Sequence, residues 1–463
     1  MGSTDVDIVV AGAGAAGLAA AISGADAGAS VLLLEAQDTF RSGSNTAMST
    51  SMIPAGGSRW QRKAGIEDSP DLLYGDIMAK TKGKADPVVA RALADVSPRL
   101  VEWLADECGV PLELVTDFRY PGNSRQRHHC VPDRSGRTLL RHLLEAASSR
   151  SEITLVVPSR ITDVEEADGG LRAIAARPDG SEDVILARSV ILATNGFGAN
   201  SEMVRRHIPE IANGLYHGGD GSRGDALLIG GRLGGDTSSL GAYQGHGSVA
   251  SPHGVLLTWT TMMNGGLLVD SSGARFQNET IGYSESAVTV LAQPGGIAWA
   301  IFDRHVHKKA EPFADYQDLL GMDAVKWAND VNALAKIIGC DPEDLERTLD
   351  SARRAALGDE ADHLGRTDWA HSIESPFAAV KVTGALFHTQ GGLKVDKTGA
   401  VLRSGSPIPG LFAAGGAAVG ISGDSSYGYV SGNGLLSALG LGFLAGSAAA
   451  SRVGPRAAPT PAV

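Results

Sequence analysis

The stretch "VDIVVAGAGAAGLAAAISGADAGASVLLLE" (residues 6–35) leaves a chain little freedom in how it folds. The run Val6–Val10 is apolar except for Asp7 and predicts a buried strand. Gly12-x-Gly14-x-x-Gly17 then predicts a tight turn into an alanine-rich helix, and a second apolar run closes on Glu35. Strand, glycine turn, helix, strand and acid make a βαβ unit, and such units build a parallel sheet covered by helices. The motif also predicts a dinucleotide. Gly12 makes the turn, Gly14 lets backbone approach a pyrophosphate, and Gly17 lets the helix lie close to the sheet. The helix start at Ala15 and Ala16 offers N–H groups and a partial positive charge to the phosphates, and Glu35, followed by Ala36, is placed to accept from an adenosine ribose.

The rest of the chain narrows the partners. At 463 residues it exceeds what one hydrophobic core organises, so two domains are expected. Forty basic residues against 52 acidic ones, net −12, argue against nucleic acid and against a polybasic membrane contact, leaving a small molecule as the partner. Cys108, Cys130 and Cys340 are too few and too scattered for a disulfide framework or a paired-cysteine metal site, which fits a reducing cytoplasm. Glycine and aspartate interrupt every apolar run before it reaches spanning length, so neither a signal peptide nor stable membrane insertion is expected. The tail "VGPRAAPTPAV" is expected to fray. "RHHC" (127–130) invites a metal reading, but adjacent residues do not converge as ligands unaided, and no metal is expected.

Two further segments bring backbone to an extended dinucleotide: "SVILATNGFGAN" (189–200), through Ala193, Thr194, Asn195 and Gly196, and "GLFAAGGAAVG" (410–420), through Gly415 and Gly416. With "SGSNTAMS" (42–49), "GGDGSRGDAL" (218–227), "GARFQNE" (273–279), "HTQGGLKVD" (388–396) and "SGNGLLSALGLG" (431–442), the chain resembles from end to end the flavoproteins of the fumarate reductase and 3-ketosteroid dehydrogenase superfamily. The resemblance implies FAD rather than NAD. It also implies a Rossmann-like FAD-binding domain of the glutathione-reductase-like flavoprotein kind (1–242 and 372–463), with an inserted α+β capping domain (243–371). Ser44, Asn45, Thr46, Asp220, Gly432, Asn433, Leu435 and Leu436 join the expected cofactor contacts. Relatives with covalent FAD use a histidine near "SGSNTAMS"; none stands there, so non-covalent FAD is expected. The family often carries a glutamate at the position of Gly416, a departure that leaves one ribityl contact unassigned. "GRLGGDTSSLGAYQGHG" (231–247) looks like a hinge into the cap, and Asp341 with Pro342 predicts a helix start within it.

The chemistry turns on two replacements. Soluble fumarate reductases carry a proton-donating arginine after the "GARFQNE" motif and a carboxylate-gripping arginine before the final turn. Alignment places Tyr283 and Tyr429 there. A phenol cannot make the bidentate contact by which arginine holds a carboxylate, so a C4-dicarboxylate loses both anchors. A phenol does suit a ketone oxygen gaining enolate character, or a proton in transit. The pattern "YGYVS" (427–431) with a separate cap tyrosine looks most like the 3-ketosteroid Δ4-(5α)-dehydrogenase type. That resemblance implies removal of an α-proton and a β-hydride from a cyclic or steroid ketone, with Tyr429 and Ser431 on the carbonyl, Tyr283 handling the proton, and Tyr427 and His388 lining the site. His246 in "QGHG" matches another family position. Structural roles stay open beside these: Tyr427 as a packed aromatic, Ser431 as a turn former, His388 as a hydrogen-bonded histidine. Electrons must leave to an external acceptor, since no Cys-x-x-Cys-His haem motif is present. The alternatives are a reductase of an activated double bond in a small carboxylate and a non-enzymatic flavoprotein.

Overall fold

The computed structural model describes residues 5–116, 119–120 and 122–453, so all but the first residue of the tail expected to fray lies outside the described residues. Two compact units emerge. One comprises Met1–Met203, Gly218–Tyr243 and His388–Val463; the other comprises Val204–His217 and Gln244–Phe387.

The first unit is built on an eight-stranded sheet among the described residues. The opening strand, Val6–Ala11, sits between Val31–Leu34 and Glu182–Leu192, parallel to both, with Ile8 opposite Val31 and Ser189. Ile153–Val156 and Ser406–Ala413 extend the parallel order outward. Such strands are buried on both faces and so read as unbroken apolar runs. The helix Ala15–Asp26 follows the glycine turn, and its alanines pack against the last helix, Asn433–Ala450. Small residues set that approach: a Cβ on Gly442 would lie 2.2 Å from the Ala16 carbonyl oxygen, and one on Gly446 2.2 Å from that of Ala20. The last helix is long and apolar enough to cross a membrane by composition, but 67% of its window is buried, as in the core helix of a folded domain. A second, three-stranded sheet (Ile53–Pro54, His128–Cys130, Glu113–Leu114) lies in the same unit.

Among the described residues the second unit has a seven-stranded sheet whose central strand, Phe377–Thr389, pairs over 377–383 with Ile297–Asp303. This pairing extends the unit past the expected boundary at 371: residues 377–383 complete its sheet, and Leu215–Tyr216 adds on opposite Ala385–Leu386. Its core gathers Leu267, Ile301, Phe302, Val380 and Val382. The helix Pro342–Leu357 starts on Asp341, whose carboxylate accepts from the Glu343 N–H at 2.8 Å. The expected hinge at 231–247 is not a bare linker. Thr237–Ser238 pairs with Gly392–Leu393, and from Tyr243 the chain is a buried strand, because its small residues fit beside other backbone.

Candidate active site

The nucleotide cradle follows from the glycine turn. Gly12 has φ +107° and a Cβ there would lie 2.4 Å from the Ala193 carbonyl oxygen, while a Cβ on Gly17 would meet the Gly12 carbonyl oxygen at 1.7 Å. These two glycines are demanded by the fold. Gly14 is different: its φ of −77° suits any residue, and a Cβ would meet only Thr46 Oγ1, at 3.4 Å. Nothing in the chain requires glycine at that position, so its smallness fits a ligand backbone approach such as a pyrophosphate. Glu35 is fixed by two backbone donors, Ala13 N to Oε2 and Gln37 N to Oε1, both at 2.8 Å. Ala36 is exposed beside it. Thr46 Oγ1 accepts from Ala15 N at 2.9 Å, Asn45 Oδ1 accepts from Gly219 N at 2.6 Å, and Ser44 Oγ accepts from Ala47 N.

Ala193 and Thr194 follow the strand Glu182–Leu192, with Ala193 N donating to the Ala11 carbonyl oxygen at 2.8 Å, and Asn195 Oδ1 accepts from Gly196 N at 2.9 Å while its amide donates to Ser222 Oγ. Gly415 lies against Ala16; a Cβ on Gly416 would crowd Asn195 Oδ1 at 2.5 Å, which accounts for the missing glutamate. Leu435 and Leu436 are buried in the last helix. Thr194 Oγ1, Asn433 Oδ1 and Ser437 Oγ are buried polar atoms with no hydrogen-bond partner among the described residues, as suits a site for a polar cofactor. Asp220 is exposed, and Asp225 pairs with Arg160 at 2.6 Å.

The turn before the last helix separates its three candidates. Tyr429 and Ser431 are buried, at 7% and 4% exposure, whereas Tyr427 is 56% exposed. His388 packs edge-on against Tyr429, ring centroids 5.9 Å apart. A chain of contacts reaches its ring: Asn433 Nδ2 donates to Ser422 Oγ, Ser422 donates to Gln390 Oε1, and His388 Nδ1 lies 2.9 Å from Gln390 Nε2 and 3.4 Å from the Thr389 carbonyl oxygen. Burial holds the ring neutral, its pKa lowered to about 4. Beneath the turn, His128 Nε2 lies 2.9 Å from the Ser431 carbonyl oxygen.

In the second unit, Tyr283 opens the helix Tyr283–Leu291 directly after Gly282. Its ring stacks on His246 at 4.8 Å and 16°, His246 stacks on Phe387 at 5.2 Å, and Phe387 meets His217 at 4.7 Å, with Trp259 edge-on to His246. Burial lowers the His246 pKa to about 3. Ser248 gives its one hydroxyl proton to the Leu257 carbonyl at 2.7 Å, so His246 Nδ1 must donate to Ser248 Oγ, leaving Nε2 as an acceptor. The 3-10 turn before Tyr283 is tied down by Glu279, which accepts from Arg275, Arg366 and Leu268 N. Sequence reasoning missed His128, Gln390, Ser422 and Arg366. Only His128 stands in a stretch that the sequence singles out, "RHHC", and there the pattern points to a metal rather than to a hydrogen-bond donor.

Known proteins are similar to this chain over nearly all of its length. An NADH:fumarate oxidoreductase of Klebsiella pneumoniae (strain 342) is 30% identical over 96% of this chain, which spans 48% of that longer protein. The open conformation of a flavocytochrome c3 fumarate reductase superposes with TM-score 0.80 at 27% identity, covering 96% of this chain and 78% of that one. The 3-ketosteroid-Δ4-(5α)-dehydrogenase of Rhodococcus jostii RHA1, in complex with 4-androstene-3,17-dione, does so with TM-score 0.76 at 26% identity, covering 97% and 98%. Both kinds of flavoprotein thus share the fold, and the sequence likeness leans to the fumarate enzymes. The FAD binding domain family matches residues 7–434, so the chain belongs to that family and its cofactor is FAD.

Proposed function

We propose that this chain is an FAD-dependent oxidoreductase that introduces a double bond beside the carbonyl of a cyclic or steroid 3-ketone. The observation carrying the reading is that both candidate tyrosines stand against histidines held neutral by burial, His388 at Tyr429 and His246 at Tyr283. Uncharged rings suit an uncharged substrate; a dicarboxylate calls for the arginines that the two tyrosines replace.

In this reading Tyr429 donates its hydroxyl proton in a hydrogen bond to the ketone oxygen, Ser431 adds a second donor, and negative charge developing there is stabilised. Tyr283, ionised to its phenolate before the step, takes the acidified α-proton and becomes a neutral phenol. Bound FAD, which we take to be non-covalent, supplies the acceptor for the β-hydride, and an external acceptor then removes the electrons. Tyr427, exposed as it is, takes no part. Three free cysteines and no disulfide among the described residues fit a reducing cytoplasm.

A second reading has a specific support: the 30% identity to the Klebsiella fumarate oxidoreductase favours reduction of an activated double bond in a small carboxylate. Anaerobic titration followed by flavin absorbance separates the two. Bleaching by a 3-ketosteroid with no response to succinate is expected; bleaching by succinate alone overturns the ketone assignment.

A further inference from the structure

We propose that His128 is a positioning residue for the reaction, holding the Tyr429–Ser431 turn through the Ser431 carbonyl. The inference rests on the roles given above to Tyr429 and Ser431, but its observations are independent of substrate. His128 is 2% exposed and sits in the middle strand of the three-stranded sheet, between Ile53–Pro54 and Glu113–Leu114. Its ring is fixed by the Tyr120 ring at 4.5 Å. A carbonyl oxygen only accepts, so the 2.9 Å contact requires the proton on His128 Nε2. Burial lowers the pKa to about 4, so the ring is a neutral donor near neutral pH.

The bond reaches across more than three hundred residues to the peptide that joins Ser431 to Gly432. That peptide is planar, so pinning its oxygen fixes the orientation of the whole unit. On the far side of the same peptide, Gly432 has φ +77°, and a Cβ there would strike Pro54 Cδ at 2.8 Å and the Met52 carbonyl oxygen at 2.9 Å. The turn is therefore seated on the small sheet by steric fit at Gly432 and by one directional bond at Ser431. The neighbouring residues of "RHHC" show that the sheet itself is held by other means: Arg127 bonds Asp68 at 3.1 Å, and His129 bonds Ser58 Oγ, the cap of the helix Arg59–Lys63, at 2.7 Å. Removing the His128 donor loses this directional bond and loosens the turn, while the cofactor cradle at residues 12–17 keeps its own contacts.

The test compares His128→Phe, which keeps a ring and removes the donor, with His128→Gln, which restores one. Hydrogen exchange of peptides spanning 426–436 is read alongside FAD content and the rate of flavin reduction by whichever substrate reduces the wild-type protein. In His128→Phe, exchange in that segment is expected to rise and the rate to fall roughly 10–100-fold with FAD retained, the size of one lost buried hydrogen bond; His128→Gln should recover most of both. If His128→Phe fails to hold FAD, His128→Asn, too short to reach, takes its place against His128→Gln. Unchanged exchange, or faster exchange with wild-type turnover, overturns the proposal. Reduction by a carboxylate rather than a ketone would overturn the substrate assignment and leave this comparison intact, and if nothing reduces the flavin the exchange arm decides.

Discussion

Two glycine-rich turns in the first unit run into helices that pack on each other, yet they carry their information differently. In the turn at 12–17 it lies in the backbone: Gly12 and Gly17 are excluded from bearing a side chain by carbonyl oxygens, and Gly14 is left open. In the turn at 427–434 it lies in side chains, Tyr429 and Ser431, whose placement depends on His128, His388, Gln390 and Ser422 from distant strands and loops. A backbone device needs no particular side chain from its neighbours, since the carbonyl oxygens that enclose Gly12 and Gly17 are present whatever residues carry them. A side-chain device is only as well aimed as the groups behind it.

The largest effect separates cofactor from fold in the first turn. Gly14→Val is expected to abolish FAD retention while leaving the fold, because the added branch enters space that only Thr46 Oγ1 borders at 3.4 Å. Gly17→Val, facing a carbonyl oxygen at 1.7 Å, is expected to prevent folding. Flavin absorbance per protein and far-ultraviolet circular dichroism read the two losses separately. If Gly14→Val stays yellow, that glycine is not the phosphate contact.

The second turn should give the opposite pattern. Tyr429→Phe is expected to keep FAD and the fold but to lower the rate of flavin reduction by a ketone by roughly 10²–10³, the cost of removing one oxyanion donor. The ring remains against His388, so the loss comes from the hydroxyl. Stopped-flow absorbance measures it, and a wild-type rate in the variant removes Tyr429 from the chemistry.

The same contrast explains what could be read from the sequence. The βαβ unit from Val6–Ala11 to Val31–Leu34 and the helix capped by Asp341 were legible because each follows from a short contiguous pattern. The second unit was misjudged at its edges, since Phe377–Thr389 joins its sheet through partners about eighty residues earlier, and no local signal marks which sheet an apolar strand enters. Tyr429 was legible as a candidate, but its aim was not. The groups that orient it are single polar residues in unremarkable surroundings, and long-range pairing leaves no trace in spacing. Tyr427 shows the converse: it stands in the same motif and faces solvent, because adjacent residues of a tight turn point in different directions.

The smallest effect is on acid stability, and of the two turns only the second feels it. Residues 12–17 and 42–49 contain no histidine, while the tyrosine turn leans on His128 and His388, both with pKa lowered to about 4 by burial. In the unfolded chain each returns to an ordinary value near 6.5, so between pH 6.5 and about 4 the unfolded state binds protons that the folded state refuses. Stability is thus full above pH 6.5 and declines as the pH falls towards 4, with a slope of at most about 1.4 kcal/mol per pH unit for each histidine. His246, lowered to about 3 in the second unit, adds to the decline but is untouched by changes in the turn. The double variant His128→Gln with His388→Gln should therefore flatten, without abolishing, the fall of the thermal midpoint between pH 6.5 and 4. An identical slope in wild type and double variant would mean that neither ring titrates with unfolding, and that the turn is less buried in solution than its 2.9 Å bond to His128 implies.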